Sequence, residues 1–243
     1  MAALTGWWDD FFWGSVVVVQ LFFTSVILMT VFGLVGSAAK LSKVRIFQKI
    51  AGAYTVVFRG TPEILVLMIM YYGSAVTLTA LFKVFDPSVK YVDIPPFWAG
   101  SLALGLIVGS YATETFRGAF MGVPVGRVEA ARALGMSALQ TFFYIKVPEM
   151  WRLALPAYGN HLLSLIKDTA LVSIIGVPEL LFVAEQGMGA TSKPFPFFIA
   201  VGGIYLGFST VIILFSRALE KQANRHLDVE TLKKLPMPQT GRA

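Results

Sequence analysis

Long, nearly unbroken runs of apolar residues dominate this chain, and five of them approach the roughly 20 residues a helix needs to cross a ~30 Å hydrocarbon core. They run from about Phe11 to Val35, within Thr61 to Phe82, from about Phe97 to Phe116, from about Leu153 to Val177, and from Phe195 to Ser216. The first is interrupted by nothing more polar than Gln20, Ser and Thr. A further apolar stretch, Val177 to Ala184, is too short to cross and gives way to Glu185, Gln186, Gly187, Met188 and Gly189, so it reads as a re-entrant or interfacial segment beside the fourth span. The pattern predicts an all-α integral membrane protein with five transmembrane helices.

Composition supports that class. Of 243 residues, 56% are hydrophobic and 14% charged, with mean hydropathy +0.70. A soluble domain carries about 25% charge, so a water-soluble or disordered chain is excluded. Cysteine is absent, which removes disulfide frameworks, thiolate zinc sites, iron–sulfur clusters and cysteine nucleophiles. The net charge of +6 acquires meaning from its placement. Of the 20 Lys and Arg residues, five lie between the first and second stretches, five between the third and fourth, and six after the fifth. Only Lys83, Lys90 and Lys193 fall on the other side, and Lys167 lies within a span. Basic loops stay cytoplasmic, so this split predicts an N-terminus outside and a C-terminus in the cytoplasm. The basic character is thus a topology signal, and nucleic acid is not an expected partner; the lipid bilayer is.

Trp7, Trp8, Trp13, Trp98 and Trp151 fall near span ends, where indole rings favour the interface. The first apolar run is longer than a signal-peptide core and lacks a basic flank before it, so no cleaved leader is expected. The expected organisation is an external segment over 1–10, one transmembrane domain over 11–217 and a cytoplasmic tail over 218–243.

The stretch between the third and fourth spans is longer than a turn requires. Pro124 can open a helix, residues 126–134 are good helix formers, and Gly135 suits the left-handed position that closes a helix. Ser137 and Gln140 have the spacing of a capping box for a second helix, which Val147-Pro148 is expected to stop. Two short helices meeting at a glycine would form a stiff cytoplasmic element.

Here a family resemblance enters. Glu129-Ala130-Ala131, three residues, Gly135, nine residues, then Ile145-Lys146-Val147-Pro148 resembles the EAA loop of bacterial ABC importer permeases, E-A-A-x3-G-x9-I-x-L-P, with Val147 where the pattern has Leu. The segments Phe58 to Glu63, Tyr111 to Ala119 and Ser164 to Val172 are similar to signatures of the polar-amino-acid permeases, the histidine/lysine/arginine/ornithine and opine group. Together these segments cover about residues 55 to 185. The resemblance implies that the loop over 122–148 is a coupling helix, with Glu129, Ala130, Ala131 and Gly135 meeting a cytoplasmic ATPase subunit. It also implies a second permease subunit, identical or different, a periplasmic solute-binding protein, and a place in the bacterial inner membrane. No G-x4-G-K-[ST] motif occurs and neither His161 nor His226 sits in an H-E-x-x-H, so the chain reads as a non-enzyme without a cofactor of its own, ATP being used by the partner subunit.

Charged residues within spans are costly and line a water-filled path or pair with one another. Lys167 and Asp168 lie about fifteen residues into the expected fourth span, ~22 Å from its start, and point about 100° apart. One reading gives Asp168 a cationic or zwitterionic cargo, with Asn160, Ser164 and Thr169 lining the same region; the other gives a charge-pair network that only fixes packing. Glu63 has two readings as well. Thr61 as N-cap and Pro62 in the first turn would make it an ordinary acidic helix start. Alternatively the helix begins near Lys49 and Pro62 kinks it, turning Glu63 toward the pathway. Glu114 and Arg117, three apart, read as an interfacial pair, with Glu114 left open. The α-carboxylate of an amino acid would fall to Lys167 or a helix N-terminus. The rivals are an ATP-independent ion-coupled transporter or channel, and a membrane scaffold without a pathway.

Overall fold

The computed structural model describes residues 4–92 and 94–225, all of whose regular structure is helical. The first helix, α1, runs from Trp8 to Leu41, 34 residues or ~51 Å at 1.5 Å per residue. Asp9 and Asp10 in its first turn and Lys40 in its last complement the helix dipole. Its buried residues, among them Phe11, Gly14, Val18, Leu21, Met29, Gly33 and Gly36, form one stripe at spacings of three and four, and apolar Phe12, Phe23, Ile27 and Val31 are exposed. Exposed apolar side chains of this kind suit a lipid environment.

That stripe packs along α5, Pro96–Met121, the most enclosed helix. Glycines make the approach possible. A Cβ at Gly105 would stand 2.5 Å from Leu28 Cβ, one at Gly33 2.8 Å from Ala112 Cβ, and one at Gly36 2.3 Å from Thr113 Oγ1. Gly105 and Gly109 form a small-xxx-small pair of the type that lets helix backbones touch in membranes.

The chain between the first two predicted spans forms a separate helix, α2, Arg45–Gly60. It was not expected to be independent. Its apolar residues fall on one side, and Tyr54 crosses to α5, its hydroxyl donating to the Leu106 carbonyl at 2.6 Å. Thr61 and Pro62 are extended, with ψ of 141° and 132°, and a new helix starts at Glu63. The break is therefore complete, not a kink in one long helix, and Thr61 supplies no side-chain cap because Pro62 occupies the cap position. Helices α3 (Glu63–Met68) and α4 (Ser74–Phe85) join through a wide π turn at Ile69–Gly73 into one membrane-length rod.

Between α5 and the next long helix lie α6 (Val125–Ala133) and α7 (Ala138–Thr141). Here the expected stop at Pro148 is not made. A π turn at Phe142–Lys146 leads directly into α8, Val147–Asp168. Proline lacks an N–H and crowds the carbonyl four residues back, and widening the preceding turn accommodates it. The α-helical geometry ends earlier than the predicted fourth span, at Asp168, continuing as a 3₁₀ turn over Thr169–Ile175 that closes at Gly176 with φ +86°.

The short apolar stretch becomes α9, Leu180–Thr191, whose 12 residues are too few to cross. Its N-cap is the fully buried Glu179, which accepts from the Leu181 and Phe182 amides at 2.8 and 3.0 Å and from the Tyr205 hydroxyl at 2.8 Å. The last helix, α10, spans Pro194–Ala223, beyond the predicted end at Ser216, so the first residues assigned to the tail continue the helix. The rest of that segment, with His226, lies outside the described residues.

Among the described residues, three helical rods are both long and apolar enough to cross a membrane: α1, the α3–α4 run and α10. Helices α5 and α8 have 26 and 22 residues, ~39 and ~33 Å, but carry more polar residues.

Gly36→Ala tests the central contact. A methyl group there must displace Thr113, and overpacking of this kind costs about 1–3 kcal/mol. The melting temperature of the purified protein in detergent should fall; an unaltered value would mean the α1–α5 approach is looser than described.

Candidate functional site

The break between α2 and α3 sets two charged residues, exposed Arg59 and half-buried Glu63, on either side of it. Arg59, one residue before the end of α2, lies with its guanidinium 5.2 Å from the Tyr111 ring centroid on α5, a cation–π contact. It therefore sits against α5, ten residues before that helix ends. Thr115 Oγ1 and His161 Nε2 are hydrogen-bonded at 2.8 Å, joining α5 to α8, with the Tyr111 and His161 rings 6.3 Å apart. Arg59 is near enough for its charge to act on His161. Across the break, Glu63 opens α3 and lies near enough to Asp168, the last residue of α8, for the two carboxylates to interact electrostatically.

Among the described residues, Arg59, Glu63, Lys167 and Asp168 form no ion pair within 4.0 Å. Lys167 is nonetheless near enough for its charge to act on Asp168. Asn160, Ser164 and Lys167 are exposed and fall at i, i+4 and i+7, one face of α8, with half-buried Asp168 beside them. Thr169 is turned elsewhere. It is fully buried, its hydroxyl donates to the Ile166 carbonyl at 2.7 Å, and it lies 3.3 Å from the Tyr205 hydroxyl. Glu63 and Asp168 thus lie near each other beside the α2–α3 break, Asn160 and Ser164 lie farther along the exposed face of α8, and Thr169 is turned away from that face. Arg59 and the Tyr111–Thr115–His161 group were not named from sequence as site residues, although both lie within or beside the quoted motifs.

Glu114 is fully engaged. One oxygen pairs with Lys40 at the end of α1 and the other accepts from Arg117 Nε at 2.8 Å. Lys40 also donates to Thr55 Oγ1 at 2.6 Å. This cluster ties α1, α2 and α5 together and leaves no carboxylate oxygen free for cargo.

The helix closure and the capping box of the loop over 122–148 have the local structure their sequence calls for, although the stop expected at Pro148 is not made. Gly135 takes φ +81°, and the Gly135 and Met136 amides donate to the Arg132 and Ala131 carbonyls at 2.9 and 3.1 Å, a Schellman closure of α6. The Ser137–Gln140 capping box is complete, with bonds of 3.2 and 2.8 Å. Glu129 and Ala130 are exposed, Ala131 is buried against the bundle, and Leu134 and Tyr144 are 84% and 73% exposed. Apolar side chains displayed among charged ones make a surface suited to a protein partner.

Among the described residues, an all-helical bundle with three membrane-length apolar rods and a capped helical elbow is the architecture of an integral membrane protein. Residues 29–225 match the family of binding-protein-dependent transport system inner membrane components, and the chain belongs to that family. It is 41% identical to the histidine/lysine/arginine/ornithine transport system permease protein HisQ of Salmonella typhimurium, over 82% of this chain and 86% of that protein. It is 35% identical to the octopine transport system permease protein OccQ of Rhizobium radiobacter, over 91% of this chain and 93% of that one. Among solved structures it resembles an amino acid ABC transporter determined with histidines, at TM-score 0.77 and 27% identity, covering 91% of this chain and 97% of that chain. An inward-facing methionine ABC transporter, MetNI, shares the fold at TM-score 0.67 and 18% identity, covering 90% and 97% of the two chains.

Gly135→Ala forces a side chain into left-handed backbone, at a cost of about 1–2 kcal/mol. Amide hydrogen exchange of Gly135-adjacent residues 134–137 should quicken about fivefold or more while α5 keeps its protection. Unchanged exchange there would show that the closure does not depend on glycine.

Proposed function

We propose that the chain is the permease of an ATP-driven importer whose cargo is a polar amino acid, basic or conjugated as in the opines. Five helical crossings carry the pathway: α1, α3–α4, α5, α8 with its 3₁₀ extension, and α10. Residues 1–10 lie outside, the transmembrane domain covers 11–217, and the coupling loop over 122–148 and the tail from 218 lie in the cytoplasm. The basic-residue asymmetry supports this orientation. The enclosure of α5 and the lower apolar content of α8 fit helices that face other helices and a polar path more than lipid.

The observation that carries the reading is the broken α2–α3 unit. Irregular backbone at membrane depth is tolerated where it lines a cavity, and half-helix ends there meet charged ligands. Arg59 supplies a cation for the α-carboxylate, in place of the Lys167 or helix terminus considered from sequence. Glu63 and Asp168 supply carboxylates for the ammonium or guanidinium groups. Asn160 and Ser164, on the exposed face of α8, complete a polar lining that a second permease subunit, identical or different, closes from its own side. Thr169 supports that lining from behind through Tyr205. The names of the relatives, which include basic amino acids and octopine, agree with a cargo bearing both charges.

Two cytoplasmic ATPase subunits hydrolyse ATP, and a periplasmic binding protein delivers cargo. Glu129, Ala130, Ala131 and Gly135 form the docking elbow. ATP binding closes the ATPases, the elbow moves with them, and the helices rock to expose the α2–α3 break to alternate sides.

Asp168→Asn and Glu63→Gln each remove one charge with little change in volume. Hydrogen bonds to charged groups contribute about 1.5–3 kcal/mol, so uptake of radiolabelled L-arginine should fall about tenfold or more, with ATPase subunits still co-purifying. Wild-type uptake in both variants would remove these carboxylates from the site.

A further inference from the structure

Glu149 is a carboxylate that no part of the site uses. It stands in the first turn of α8 with its side chain only 10% exposed, and each oxygen holds a different arginine. Arg152 lies three residues along the same helix, so that pair is internal to α8. Arg127 comes from the first turn of α6 and is 47% exposed. Among the described residues, Arg127–Glu149 is the one hydrogen-bonded contact between α6 and α8.

Elsewhere the two helices stand apart. A cavity of about 620 Å³ lies between them, walled by Ala131, Leu134, Tyr144, Trp151 and Leu155. The covalent route from α6 to α8 passes through the four-residue α7 and the π turn at Phe142–Lys146, where Phe143 and Tyr144 are exposed. An open cavity transmits no push, and a short helix followed by a wide turn is a poor strut. The ion pair spans the gap directly. From Glu149, α8 runs 19 residues, ~28 Å, through an internal Pro156 to Asp168, which makes it the element that joins the ion pair to the candidate site.

We propose that Arg127–Glu149 is the positioning link that delivers movement of the α6 elbow to α8, and so couples ATP hydrolysis to transport. This rests on the proposed importer function. Arg152 has a different part: it satisfies the second oxygen of Glu149 and keeps the carboxylate aimed. A buried carboxylate left with one partner still folds, whereas a carboxylate left with none is strongly penalised. Arg127→Gln is accordingly the clean cut, because it severs the bridge between helices and leaves the Glu149–Arg152 pair intact.

The test uses the full complex of this chain with its ATPase subunits, its second permease subunit and its binding protein in proteoliposomes. It measures uptake of radiolabelled L-arginine, L-histidine or octopine per ATP hydrolysed. In Arg127→Gln this ratio should fall about two- to thirtyfold, the range of coupling energies carried by single residues, while the ATPase subunits stay bound. Arg127→Lys should restore most of it, since an ammonium can hold the same oxygen. Arg152→Gln should lower the melting temperature more than the ratio, being the more buried arginine at 20% exposure. An unchanged ratio in Arg127→Gln, or an equal loss in Arg152→Gln, would overturn the proposal. If the wild-type complex shows no ATP-dependent uptake of any of the three, the importer reading fails with it, a result distinct from intact wild-type coupling and indifferent variants.

Discussion

Inside a bilayer, two apolar helix faces gain little from leaving lipid for each other, so a bundle must be held by close fit and by polar contacts. The approach of α1 to α5 is where this constraint is met. Glycines at 33, 36, 105 and 109 remove the side chains that would hold the backbones apart, and Leu28, Phe32, Ala112 and Thr113 fill the space gained. Every other element takes its place from that pair. Helix α2 lies across it through Tyr54, α8 packs on the remaining side of α5, and α9 sits on α1 where Gly14 meets the Leu180 backbone.

With the scaffold set by small residues, charge can be spent in two distinct ways. Glu114 and Glu149 are saturated, each held by two cations, and act as ties between elements. Arg59, Glu63 and Asp168 have no ion-pair partner among the described residues, and cluster where α2 stops and α3 begins. Arg59 is exposed and Glu63 and Asp168 are half-buried, so solvent can supply the partners that the protein does not. Glu179 is a third case, a buried carboxylate satisfied by two backbone amides and a tyrosine, where it caps α9.

Local signals were legible to the extent that they act locally. The apolar runs located α1, the α3–α4 rod and α10, and the Gly135 closure and the Ser137–Gln140 box took the forms their residues demand. Where tertiary context competes, the outcome differed. Pro148 reads as a stop, yet the chain absorbs it in a π turn because α8 packs against α5 and α10 beyond it. Residues 45–60 read either as a basic loop or, from near Lys49, as the start of a kinked second span, yet they form a separate helix whose Tyr54 and Thr55 find partners on α5 and α1.

The sequence by itself determined the membrane class, the positions of the long apolar rods, the capped elbow with Glu129, Ala130, Ala131 and Gly135, and the membership that those motifs imply. These depend on composition and on spacings of a few residues, which any fold must respect. Only the tertiary structure decided that Arg59 leans on Tyr111, that Thr169 faces Tyr205 and not the exposed face of α8, and that Arg127 reaches Glu149 across a cavity. Each of these depends on how one helix is rotated against another, and that rotation is set by the fit of side chains far apart in the chain.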